Sequence, residues 1–186
     1  MVGIAELWLP ILLSAVIVFV VSSIIHMMLG YHKSDYQKLP DEKKALDAIR
    51  PLGIPPGTYH FPHCDSLKET NSPEFQEKMK QGPTGLLTMF PTGMPSMGKH
   101  LVAWFLYSVM VSFFVAYLTG RTVPREAHYL SVFRVAGTAA FLSYAMAHAH
   151  SSIWKGEAWS TTLKFYFDGL VYGLLTAGVF GWLWPR

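Results

Sequence analysis

The chain has 186 residues, 51% of them hydrophobic and only 15% charged, with a formal charge of +3. The apolar residues lie in long blocks rather than at amphipathic spacing, which argues against one soluble domain and for a polytopic membrane protein. The small positive excess forms no basic block, which argues against nucleic acid as a partner, and the one cysteine, Cys64, excludes an intrachain disulfide.

Residues 1–30 read as a first transmembrane helix after a short N-terminus. Leu7–Leu29 is too long for a signal-peptide core and has no basic segment before it, so a retained helix is expected. Pro10 falls in its first turn, and Ser22 and His26 lie one turn apart near its exit. Residues 31–98 form a polar loop with eight basic and eight acidic residues. Asp41 is expected to cap a short helix running to about Arg50, and Asn71 or Ser72 a second that starts at Pro73 and stops at Gly82. Gly53–Asp65 is too rich in Pro and Gly for a helix, and Leu86–Phe90 reads as one short strand.

Residues 99–186 carry three more spans. Leu101–Leu118 presents Ser108, Ser112 and Ala116 on one face. Tyr129–Ala147 is rich in small residues and contains Arg134, which is expected to snorkel outward or to pair with Glu6 or Glu126. The fourth span, Phe165–Trp184, has one charge, Asp168, over 20 residues. At about 1.5 Å per residue that length crosses a hydrocarbon core of about 30 Å. Gly169, Gly173, Ala177 and Gly181 recur at every fourth position, a bare groove against which another helix packs. The expected fold is therefore an all-α membrane protein, a bundle of four transmembrane helices with a long loop between the first and second. Lys33, Lys38, Lys43, Lys44 and Arg50 follow the first span, so that loop is expected in the cytoplasm and both termini outside.

This topology brings polar groups from all four spans to one depth. His26, His100, His148 and Asp168 make up this layer; His150, two residues after His148, points to another face. Imidazoles on facing helices can ligate haem iron or a transition metal, and a His–Asp pair can relay protons or hold a quinone head group. The competing reading is a structural layer that locks the bundle, and neither haem nor metal is favoured over it. A second, weaker metal-ligand set is His60, His63 and Cys64, whose competing reading is a Pro-ordered turn. Gly93–His100 nearly matches a phosphate-binding loop, but His100 replaces the magnesium-binding hydroxyl and no βαβ unit surrounds it. No hydrolase signature is present.

The run K-F-x-F-D-G-L-x-Y-G-L-L-T-A-G-V-F-G-W-L-W-P from Lys164, with G-P-x-G-L-L-T-M-F-P and M-G-K-H-L before the second span, resembles a group of small polytopic bacterial inner-membrane proteins of unknown function. The resemblance implies four helices in that membrane and no activity. The leading functional expectation is a non-enzymatic subunit, accessory to or assembling a larger membrane complex, with the lipid bilayer, other subunits or a second copy as partners. It rests on small-residue faces in excess of what one bundle needs. The alternative is a redox protein holding haem, metal or quinone at the His/Asp layer, and a small transporter or channel is weaker still.

Overall fold

A computed structural model describes all residues, Met1–Arg186. In chain order, α1 (Trp8–Met28) leads into a 3-10 turn at Tyr31–Ser34; α2 (Glu42–Ile49), β1 (Gly57–Phe61), α3 (Leu67–Thr70), α4 (Pro73–Gln81) and β2 (Gly85–Met89) follow. Then come α5 (Met97–Thr122), α6 (Tyr129–Phe141), a π-helical turn at Leu142–Met146, α7 (His148–Lys155) and α8 (Trp159–Trp182). The chain divides into two compact units, Met1–Asp35 with Ser96–Arg186, and Tyr36–Pro95.

The first unit is helical. Four of its helices, Ile4–Met28, Met97–Thr122, Tyr129–Lys155 and Trp159–Trp182, are long and apolar enough to cross a membrane. The third is longer than the sequence suggests: it runs through the π turn to Lys155, so His148 and His150 lie within it rather than beyond its end. Gly156, at φ +72°, ends it. Each helix touches two neighbours, in the ring α1–α5–α6–α8.

The tightest pairing is between the third and fourth long helices. A Cβ added at Gly169 would stand 2.6 Å from the Cβ of Ala145, and one at Gly181 2.6 Å from the Tyr129 ring. Gly137 meets Ala177, and Gly173 meets Gly137 and Phe141. The small residues thus let the two backbones close on each other, which is how helices without a hydrophobic driving force between them gain packing. On the opposite side of the ring, Ser14 of α1 and Ser112 of α5, both fully buried, share a 3.0 Å hydrogen bond.

Both chain ends fasten to the turn between α5 and α6. Val2 N–H donates to the Gly120 carbonyl at 2.9 Å, the Trp184 indole donates to Pro124 at 3.0 Å, and Glu126 N–H donates to Pro185 at 3.2 Å. Of the alternatives expected for Arg134, pairing with Glu6 does not occur. Glu6 pairs with Arg125 at 2.6 Å instead of Arg134, because Arg125 lies on this same turn; Arg134 is exposed on the flank of α6.

In the second unit, Asp41 caps α2, Ser66 caps α3, and Ser72 with Pro73 starts α4, which Gly82 ends. The single expected strand has a partner. β1 pairs antiparallel with β2 from Gly57↔Met89 to Phe61↔Gly85. The Thr-Tyr-His-Phe run that forms β1 was hidden among prolines, although its residue types favour a strand.

Candidate metal and ligand site at one end of the helical unit

Asp168 anchors the site. It lies three turns into α8, on the flank of the glycine groove, and is 1% exposed. A buried carboxylate requires partners, and the chain supplies them just after α1 ends. The 3-10 turn beginning at Tyr31 folds back over the helix end, where the Tyr31 hydroxyl donates to one Asp168 oxygen. His32 Nε2 bonds the other, Oδ2, at 2.8 Å, and His26 Nε2 lies 3.8 Å from that same atom.

The far side of His32 is equally engaged. Its Nδ1 stands 2.5 Å from Asp35, whose second oxygen accepts from Lys164 Nζ at 2.6 Å. His32 thus bridges the two carboxylates through its two ring nitrogens, and the Lys164 ammonium balances Asp35. Burial pushes the Asp35 carboxyl up, but its hydrogen bonds to Lys164 and His32 outweigh this and hold it below its ordinary value. Burial first, then Asp168, pushes the Tyr31 phenol well above its own.

Beside this cluster the four long helices leave a cavity of about 520 Å³. It is bordered by His26 from α1, His100 and Trp104 from α5, Tyr144 from the π turn, His148 from α7, and Asp168 and Tyr172 from α8. Met27 and Met97, both largely exposed, stand at its mouth. The His148 ring stacks on Phe165 at 4.2 Å with 4° between planes. The Trp104 indole donates to Ser22 at 2.7 Å, tying α5 to α1. Deeper in, Tyr144 and Tyr172 meet edge to face at 5.4 Å. They are 6% and 3% exposed; the Tyr172 hydroxyl has no hydrogen-bond partner, and that of Tyr144 has only the Ser108 and Ser112 hydroxyls of α5 near it. A π turn often marks a functional position, and this one carries Tyr144.

His26, His100, His148 and Asp168 therefore border one cavity, with His148 half-buried and His100 exposed at its edge; His150 is exposed. Sequence reasoning missed Tyr31, His32 and Asp35, which it treated as the start of the loop. The available signal was Y-H-x-x-D directly after a span, since His32 and Asp35, three apart, share one face of a helical turn. His26, His32 and Asp168 bring their ligand atoms within 4.8 Å of one another. His60, His63 and Cys64 are not gathered in this way. His60 bonds the Pro62 carbonyl, His63 pairs with Asp65, and the Cys64 thiol donates to the Ser66 carbonyl. Comparison with protein-family models, with curated proteins and with solved structures finds no match for this chain.

Proposed function

We propose that the chain is a multi-pass membrane protein whose four long helices cross the bilayer as a bundle and whose end cavity binds the head group of a lipid-soluble quinone. The observation that carries this reading is the buried, unpartnered hydroxyl of Tyr172, beside Tyr144, in residues that border a cavity walled by aromatic rings and imidazoles. A buried donor left unpaired costs about 1–3 kcal/mol, and a ligand with carbonyl acceptors removes that penalty. A quinone has such acceptors on a flat ring suited to Trp104 and Phe165. Its isoprenoid tail suits the methionines at the mouth and the lipid outside.

Asp168 and His26 border the cavity and connect through His32 to Asp35 and Lys164. Such a run of titratable groups suits proton exchange with a bound hydroquinone. The Lys and Arg bias supports a cytoplasmic position for residues 31–98 with both termini outside, and the sequence resemblance supports the bacterial inner membrane. The reading as an accessory subunit drew on surplus small-residue faces. Of these, Ser112, Gly169, Gly173 and Gly181 pack within the chain.

The test is calorimetric titration of the full-length protein in lipid nanodiscs with a short-tailed benzoquinone. Saturable binding is expected, weakened about fivefold by Tyr144→Phe or Tyr172→Phe, for a net hydrogen bond of about 1 kcal/mol each. No saturation, or equal binding by the double variant, removes the reading. A Soret band in protein from its native membrane would assign the cavity to haem instead.

A further inference from the structure

We propose that His26, His32 and Asp168 form a binding centre for a divalent first-row transition metal ion, with Asp35 as the carboxylate that orients His32. The inference does not rest on the quinone reading, because it uses only the donor set and its geometry.

The donors come from three separate elements: the last turn of α1, the 3-10 turn, and α8. His32 Nε2 and His26 Nε2 stand 2.8 Å and 3.8 Å from the same oxygen, Asp168 Oδ2. In a tetrahedral site with bonds of about 2.1 Å, ligand atoms are about 3.4 Å apart, a value that these two separations straddle. His26 has room to adjust, its side chain being 39% exposed.

The surrounding bonds match what a metal centre needs. Tyr31 occupies Asp168 Oδ1, which leaves Oδ2 as the single oxygen presented to both imidazoles. Asp35 holds His32 Nδ1–H, so Nε2 is the nitrogen available to a metal. This carboxylate–histidine arrangement is the usual outer support of metal-bound imidazole: it fixes the tautomer and ring orientation. A metal ion takes the place of the direct contact between Nε2 and Oδ2 and draws in His26. Three protein donors leave a coordination position open, and two of the donor residues, His26 and Asp168, border the cavity.

Two imidazoles and one carboxylate, with no thiolate or thioether in the set, select Zn(II) or Fe(II) over Cu(I). They also suit Ca(II) and Mg(II) poorly, since those ions take oxygen ligands.

The experiment uses the full chain in detergent, stripped with chelator and free of added quinone. It is titrated with Zn(II) and, under anaerobic conditions, with Fe(II). Co(II) is added separately as a probe, since its visible bands report coordination. One ion per chain is expected. His26→Ala, at a half-exposed position where the fold is least affected, is expected to abolish stoichiometric binding. Asp35→Asn, which touches no metal, should weaken it about 10–100-fold. His63→Ala and His150→Ala, both exposed and remote from the donor set, should leave it unchanged. Absence of stoichiometric binding by the unaltered chain overturns the proposal. So does binding that survives His26→Ala in a variant with an unchanged melting transition, or binding lost equally in His63→Ala. A quinone titration that fails while metal binds removes only the cavity reading.

Discussion

His32 shows how one side chain settles the local electrostatics. Its two nitrogens join Asp35 to Asp168, whose side chains are 6% and 2% exposed. Removing it would leave Asp35 with Lys164, and Asp168 with the Tyr31 hydroxyl as its one hydrogen-bond partner. Breaking a buried pair from one side costs about 3–5 kcal/mol, because the stranded charge stays desolvated. His32→Ala is therefore expected to lower thermal stability by that order in a detergent melt, whereas His150→Ala should not move it. Equal melting of the two variants would show that the His32 bridge does not stabilise the fold. This residue was illegible in the sequence for a physical reason. Asp168 announces itself, being a lone charge in an apolar run, but His32 follows a helix end in polar chain. Only the reversal at Gly30 and Tyr31 turns it back toward α8. His26 was legible because helical periodicity and the span end place it, and His148 because it lies near the end of an apolar run.

At the level of helices, α8 was the most legible element, since its small residues at every fourth position state where a neighbour lies. The cost of filling that groove differs along it. At Gly169 a new Cβ meets the Ala145 Cβ at 2.6 Å and its backbone nitrogen at 3.2 Å, neither of which can rotate away. At Gly178 the nearest atom is the Tyr129 hydroxyl at 3.9 Å. Gly169→Ala is expected to destabilise by about 1–3 kcal/mol through overpacking. Gly178→Ala should be neutral or slightly stabilising, since alanine favours the helix by about 1 kcal/mol. Paired melts of the two variants decide the point, and a Gly169→Ala protein as stable as the parent would contradict the packing described here. By contrast, the placement of Tyr144 was not legible. Leu142–Met146 contains no glycine or proline to signal an irregular turn, so regular periodicity assigns its residues to the wrong faces. β1 escaped for another reason: its strand-forming residues sit between prolines that read as punctuation.

For the molecule as a whole, the charge lies in a telling place. Between Tyr36 and Pro95 the seven Lys and Arg residues match the seven Asp and Glu residues, so the formal +3 belongs entirely to the helical unit. Orientation then depends on where those cations fall rather than on the net charge of the insert. Cys64 is the one thiol and lies in the insert, which makes the unaltered protein its own topology probe. A membrane-impermeant maleimide is expected to label it in inverted vesicles and to spare it in intact cells. Labelling from the outside would reverse the proposed orientation without touching the site. The two-unit division itself was half legible. The polar stretch was plain from composition, but the boundary at Asp35 was not, because Tyr31–Asp35 is polar chain that belongs to the helical unit.

The π turn has a consequence for how the site could have arisen. A π turn is a regular helix with one residue too many, the surplus being absorbed locally, so the helix before it and the helix after it remain in register. Inserting a single codon into an ordinary third helix would produce it. Gly137 and Ala140 precede the turn, whereas Tyr144 and Ala145 both lie within it and would take their bearings together. Conversely, a chain shortened by the exposed Leu142 would lose this presentation of the phenol and move Ala145 against Gly169. The cavity wall and the tightest helix contact are thus tied through one turn: the residues that present the Tyr144 phenol also set Ala145 against Gly169.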